Sequence, residues 1–425
     1  METSLLYPGV TLRTVREHKF KSDYLSVVFI CSGELYDRAH AAILPQVLTR
    51  GCRAYPTEAA LDGALLDLYD ASLQCSGQTN GESFLFSFRL SVNEADFLPD
   101  GQEIRRKARD LFFSFIFDVL REKDGFVKRI FLEEKKNLLE RLNAEKVNKP
   151  RYAVARCLHF LCENEPLDYQ TKDLRRDIRK VTAKSLYDYY LRVLREARVE
   201  VFYYGREERE SVEKDLKARL APLDTEKRPY VRDVFSPLKP AVMRKTERLE
   251  AHQSTLCVGY KTALTGAEDQ SALALTRELL CISPTSLIFE NLREKQSLCY
   301  SCADKLLPRK GVYLLYAGID GRNAKTVEET LDRQLDTLIS GNFSTERLEN
   351  GKRAIINALL QMNDSPAEIE GRCIRALLSG REDDPEAAKA RVAALGKEDV
   401  MRAAASLKKD SVFLLYGVRK EKKNP

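Results

Sequence analysis

Apolar and polar positions along the chain switch between two periods, and the switches mark out the elements. Short β-branched and aromatic runs read as strands: Leu25–Cys31, Phe84-Leu85-Phe86-Ser87-Phe88 and Val199–Tyr204 early on, then Thr255–Tyr260, Val312–Tyr316 and Val412–Tyr416. Between them the apolar spacing lengthens to three and four. Thr57 can cap a helix reaching Tyr69, with Leu61, Ala64, Leu65 and Leu68 on one face. Further stripes are Ile104, Ala108, Leu111, Phe115 and Val119, then Phe131, Leu138 and Leu142, and later Val327, Leu331, Leu335 and Leu338.

Residues 220–242 carry prolines at 222, 229, 237 and 240, which can continue neither a helix nor a central strand, so the stretch predicts an extended linker. Its position near the midpoint prompts a comparison of the halves. A helix from Lys184 to Arg195 feeds the strand Val199–Gly205, and Glu398–Leu407 feeds Ser411–Gly417 in the same way. The strand pair around Ser72–Cys75 and Phe84–Phe88 likewise matches Ser297–Tyr300 and Val312–Tyr316. The offsets run from roughly 212 to 230 residues, a steady spacing once small insertions are allowed. The expected architecture is therefore α+β: two homologous domains, 1–222 and 243–425, joined by a linker at 223–242. Each should hold a mostly antiparallel sheet with helices on one face.

Composition narrows the function. The chain has 425 residues, 44% hydrophobic and 32% charged, which excludes a disordered or low-complexity protein. A net charge of +6 is too diffuse for a dedicated nucleic-acid binder, and the one dense basic run, Arg419–Lys423, reads as a solvated tail. No apolar stretch approaches the ~20 residues of a membrane helix. Residues 1–9 lack a basic segment followed by an apolar one, so no signal peptide and a cytoplasmic protein are expected, with ten cysteines as thiols. Four scattered histidines, His18, His40, His159 and His252, leave little for metal chemistry.

The segment Ala41-Ala42-Ile43-Leu44-Pro45-Gln46-Val47-Leu48-Thr49-Arg50-Gly51-Cys52, followed by Tyr55-Pro56-Thr57, resembles the zinc-motif helix of the insulinase/pitrilysin (M16) metallopeptidases. In that family an H-x-x-E-H motif binds zinc through its histidines, and its Glu deprotonates the attacking water. Laid onto this sequence, the first His falls on Ala42, the catalytic Glu on Pro45 and the second His on Gln46. Ala has no donor atom, Gln is a poor zinc ligand, and Pro can neither take a proton nor keep a helix turn intact. His40 lies two positions out of register. The family's remaining ligand is a Glu seven residues after another Glu, which places it on Glu140 with Glu133 as its companion; a salt-bridged surface role is expected for Glu140.

The string Ser286–Ser301 resembles the family's C-terminal-domain signature, and places its substrate-contacting Arg and Tyr on Arg293 and Tyr300. An Arg can hold a peptide carbonyl and a Tyr hydroxyl can polarise a scissile one. Gln74 and Cys75 fall where active relatives present an Asn and a small residue on an edge strand that pairs with peptide. The resemblance covers essentially the full chain. The strings LPQVL, YPT, LDLYDA, NKPRYA and LREKQSLCY further resemble a bacterial zinc-less subgroup labelled EF-P 5-aminopentanol modification-associated, the non-catalytic member of a pair.

What the resemblance implies is a pseudo-peptidase with no metal of its own, zinc being expected only in a partner subunit with an intact H-x-x-E-H. Together they would form a chamber for a peptide or unfolded substrate. A homodimer is left open, and the alternative is a non-enzymatic peptide- or client-binding scaffold. Other constellations read as structural. Cys299-x-x-Cys302 lies in a strand with no second pair, Cys157, His159 and Cys162 diverge around a helix, and Gly77–Gly81 reads as a hairpin turn with no Lys-Ser/Thr or helix after it.

Overall fold

The computed structural model describes residues 1–418 except 232, 234, 236 and 265. The expected basic run Arg419–Lys423 lies outside the described residues. The chain forms two compact units, one from Met1–Asn143 and Thr171–Arg232, the other from Ala144–Gln170 and Asp233–Pro425. Among the described residues no helix is long and apolar enough to cross a membrane.

In the first unit, strands β1 (Glu2–Tyr7), β2 (Val10–Arg16), β3 (Ser22–Ser32), β4 (Ser72–Asn80), β5 (Ser83–Asn93) and β6 (Arg198–Gly205) make one sheet in the order β1-β2-β6-β3-β5-β4. All neighbours are antiparallel except β2 with β6. In the second unit, β7 (Met243–Glu250), β8 (Ser254–Lys261), β9 (Cys299–Leu307), β10 (Val312–Ile319) and β11 (Lys408–Val418) pair in the order β9-β10-β8-β11-β7, again with one parallel pair, β11 with β7. Read outward from the parallel pair, the second sheet repeats β2-β6-β3-β5-β4 strand for strand. The internal repeat is therefore a repeat of topology.

Alternation decides what each sheet buries. In β3, Leu25, Val27, Phe29 and Cys31 face the first unit's core, beside Phe86 and Phe88 of β5 and Val201 of β6. Helices α1 (Arg38–Leu48), α2 (Glu58–Asp67), α3 (Gly101–Phe117) and α4 (Lys128–Asn143) contribute to the same core. In the second unit, Leu256, Val258 and Tyr260 of β8 pack with Leu331 and Leu335 on one face. The opposite face is covered by α5 (Lys149–Leu161), whose Tyr152, Cys157 and Leu161 meet Cys257, Val312, Leu314, Phe413 and Leu415. That helix comes from the first half of the sequence, so the excursion 144–170 completes the second unit.

The described residues of the proline-rich stretch form no strand, and several are fastened within their own unit. Lys227 Nζ donates to the Leu194 carbonyl at 2.7 Å, and the Val231 N–H donates to Ser32 Oγ at 3.1 Å. Lys261 Nζ donates to the Pro237 carbonyl at 2.7 Å, and the buried Asp410 accepts from the Lys239 N–H at 3.0 Å.

One buried charge network ties α3 to the sheet. Arg105 meets Asp23 of β3 at 2.7 Å and also Glu94, while Arg109 pairs with Glu207 at 2.8 Å and Asp215 at 2.9 Å. Burial first, and then the neighbouring Asp23, push the Glu94 carboxyl from 4.5 up to about 7, because the two carboxylates share one guanidinium. The folded state therefore holds this proton where the unfolded chain has released it. The stability from Glu94 is complete below pH 4.5 and is lost as pH rises through about 7. Glu94→Gln is expected to flatten the fall in unfolding free energy between those pH values, measured by urea denaturation; an unchanged slope would place the titration elsewhere.

Candidate functional site

Helix α1 begins where Asp37 accepts from the N–H groups of Ala39 and His40, an N-cap that satisfies two of the first free donors. Its inward stripe, Ala41, Ile43, Leu44, Val47 and Leu48, is buried in the first unit. The three motif positions follow on the same helix: Pro45 is buried, and Ala42 and Gln46 are half-buried. The expectation that Pro45 breaks a turn is corrected, since α1 runs through it to Leu48. Proline withholds the N–H that would bond the Ala41 carbonyl, yet its own carbonyl accepts from Thr49 at 3.1 Å, so the last turn stays closed. The ring also has a seat. A Cβ on Gly77 of β4 would lie 2.9 Å from Pro45 Cγ, so glycine there is what lets the strand lie on the proline.

Gln46 is committed as well, its Oε1 accepting from an Arg141 Nη at 3.2 Å. Arg141 sits on α4, the helix carrying the expected carboxylates. Glu140 is 63% exposed and pairs with Lys136 at 3.9 Å; Glu133 pairs with Arg50 at 3.2 Å. The carboxylate that α4 buries is instead Glu134, 9% exposed and held by Arg50 at 2.9 Å. Spacing from Glu133 passed over it, whereas the stripe Phe131, Glu134, Leu138, three and four apart, marks it as facing inward. Arg50 also meets Glu58 at 3.1 Å and so bridges three carboxylates with one charge. The out-of-register His40 reaches Ser185 Oγ through Nε2 at 3.0 Å. Ala42, Pro45 and Gln46 do not fit a zinc ion. Among the described residues no group of three or more His, Cys, Asp or Glu side chains is placed to hold a metal.

On β4, Gln74 is exposed and Cys75 half-buried, its thiol pushed up to about 12 by burial. The predicted turn at Gly77–Gly81 is shorter than expected. Strand β4 continues to Asn80, which pairs with Ser83, and only Gly81 (φ 61°) and Glu82 turn. In the second unit, Arg293 stacks over the Phe289 ring at 4.8 Å, and Tyr300 on β9 is 75% exposed. Both side chains are available to solvent rather than consumed by packing.

Residues 180–355 match the family described as Peptidase M16 inactive domain. The chain is M16 peptidase-like. It is 25% identical over 414 residues to "Probable inactive metalloprotease YmfF" of Bacillus subtilis (strain 168), covering 96% of each chain. Its fold matches a conserved protein from Enterococcus faecalis V583 with a TM-score of 0.90 at 22% identity, covering 99% of each chain. A peptidase M16 inactive domain from Pseudomonas fluorescens matches with a TM-score of 0.80 at 15% identity, again over 99% of each chain. In this M16-like chain Ala42, Pro45 and Gln46 of α1 present a methyl group, a pyrrolidine ring and an amide, with α4 and β4 packed beside them.

Proposed function

We propose that this chain is a non-catalytic M16-like subunit that holds an extended peptide along β4 and works in the cytoplasm with a separately encoded zinc subunit carrying an intact H-x-x-E-H. The observation that carries the reading is the edge itself. Strand β4 pairs with β5 in unbroken register from Ser72 to Asn80, and its sequence, SLQCSGQTN, has no charge and no proline. The other edges are guarded. Strand β1 has a register shift between Leu5 and Tyr7, β9 has one between Cys299 and Ser301, and β7 carries Arg244, Lys245, Glu247, Arg248 and Glu250. An unguarded edge invites another chain, and here the invited chain is the ligand. The resemblance to the EF-P-associated subgroup supports a bacterial pair of this kind, with Arg293 and Tyr300 as side chains lent to substrate.

Two lysines on exposed β4 positions, Ser76→Lys with Gln78→Lys, test this. Peptide binding should weaken by about tenfold or more while stability moves by about 0.5 kcal/mol or less. Undiminished binding would remove β4 from the reading. Co-expression with an H-x-x-E-H protein tests the partnership, which fails if the two neither associate nor change the partner's peptidase activity. Peptide binding without any effect on proteolysis would favour the scaffold alternative. Stoichiometric zinc in the purified chain, by elemental analysis, would overturn the non-catalytic assignment.

A further inference from the structure

Helix α1 lies against β4 at two places. Just before the helix begins, the Tyr36 hydroxyl meets Thr79 Oγ1 at 2.9 Å, and two turns into it the Pro45 ring lies against Gly77. The helix therefore advances as the strand runs back. Ala42, Gln46 and Thr49, four and three apart, lie on the side of α1 that the core does not cover. Helix α4 packs beside α1 in the opposite direction, since Arg50 meets Glu133 at 3.2 Å and Gln46 meets Arg141 at 3.2 Å. Glu133 and Arg141, eight residues apart, share one face of α4.

The pair at Gln46 is rich in donors. A guanidinium only donates, so the Gln46 amide turns its oxygen to Arg141 and keeps its two N–H groups uncommitted. Among the described residues no carboxylate pairs with Arg141, whose side chain is exposed. Neighbouring acids are engaged elsewhere: Glu133 and Glu134 by Arg50, Glu140 by Lys136 at 3.9 Å. Strand β4 brings no charge of its own. A positive charge without an internal counter-ion therefore stands one residue from the proline on which β4 lies.

We propose that Arg141 and Gln46 select an acidic side chain in the peptide held along β4. The inference rests on the peptide-holding reading and adds which peptides are held. A strand added to β4 lies about 4.8 Å beyond it and turns alternate side chains to the α1 face of the sheet, toward Pro45 and Gln46. A Glu or Asp there accepts from the guanidinium and from the amide N–H groups in charge-assisted bonds, whereas a Gln offers one neutral acceptor. A carboxylate at the end of the peptide has the same chemistry, and the test separates the two.

Two peptides, each nine residues long to match β4, amidated at the C-terminus and labelled with fluorescein at the N-terminus, are titrated with the full chain at constant ionic strength. One alternates Glu with Thr and the other Gln with Thr, so that a shift of one residue brings the tested side chain to the α1 face in any register. By fluorescence anisotropy the Glu peptide should bind about tenfold tighter. Arg141→Gln should bring the two peptides within about twofold and leave the affinity of the Gln peptide unchanged. Lys136→Gln removes an equal charge from the same helix and should keep the preference. An unchanged melting temperature shows that each variant is folded. Equal binding of the two peptides by the native chain, a preference that survives Arg141→Gln, or equal losses in the two variants overturns the selection and leaves the peptide-holding reading standing. Binding of neither peptide removes that reading and the selection with it. If the Gln peptide with a free C-terminus gains the whole preference through Arg141, the carboxylate is terminal and the side-chain assignment is overturned.

Discussion

Arg105→Met is expected to lower the unfolding free energy by about 3–5 kcal/mol. Arg105 is 8% exposed; of the three carboxylates it meets, Asp23 and Glu94 are 4% and 1% exposed, and Glu207 lies 3.4 Å away. Methionine keeps much of the volume, so little of the loss comes from a cavity. The cost arises because the buried Asp23 carboxylate loses its cation, and Glu94, whose carboxyl burial already pushes up to about 7, loses the guanidinium against which it could ionise. Tyr203 donates to Asp23 at 3.0 Å but brings no charge, and Arg109 is already committed to Glu207 and Asp215. Arg106, the next residue on α3, supplies the control. It pairs with Glu103 and Asp110 in the open, so Arg106→Met should change stability by about 0.5 kcal/mol or less. Urea denaturation of both reads the difference, and an equal effect of the two substitutions would defeat the argument. The double variant Arg105→Met with Glu94→Gln should recover part of the loss above about pH 7, where keeping the buried Glu94 carboxyl protonated costs stability.

How far such features could be read from the sequence depends on whether they are written in local periodicity. The strands were legible because β-branched and aromatic runs alternate, and the repeat was legible because the same helix-then-strand order recurs. Strand order was not written there: the repeat says only that the halves share one, and the structure adds the parallel pair found in each sheet. The motif positions Ala42, Pro45 and Gln46 were legible through resemblance, and the structure adds where they go: Pro45 under Gly77, Gln46 against Arg141. Glu134 was not found, because two adjacent glutamates look alike in a string and only the helix face separates them. The course of α5 was not found either, since amphipathicity says that a helix will be covered but not by which sheet. One signal was present. Pro150 and Arg156-Cys157 recur as Pro366 and Arg372-Cys373, so α5 and α6 (Pro366–Leu378) are a further pair of the repeat. Charge networks such as that of Arg105 join residues 82 positions apart and leave no periodic trace.

Leu161→Ala should lower stability by about 2–5 kcal/mol, through a contact that belongs to the second unit although residue 161 lies in the first half of the sequence. Leu161 is 1% exposed, and a Cβ on Gly259 of β8 would fall 2.5 Å from its Cδ1, so the leucine occupies the space that the glycine leaves. Gly259→Ala alone should cost about 1–3 kcal/mol by overpacking against that leucine. Combined, the added methyl sits where the isobutyl group was removed, so the double variant should lose less than the sum of the two. Polar contacts hold the same excursion: Tyr152 donates to Glu247 at 2.6 Å, and the fully buried Lys310 pairs with Glu165 at 2.7 Å. Hydrogen exchange locates the effect. Protection should fall in β8, β10 and β11, and the assignment of α5 to this sheet is lost if Leu161→Ala instead loosens β3 and β6 first. The same contacts set where the chain can be divided. A fragment of residues 243–425 lacks α5 and would bare Cys257, Val312, Leu314, Phe413 and Leu415 together, an apolar face expected to aggregate. Supplying residues 144–170 to that fragment restores the cover, so the unit of folding follows contact rather than sequence order.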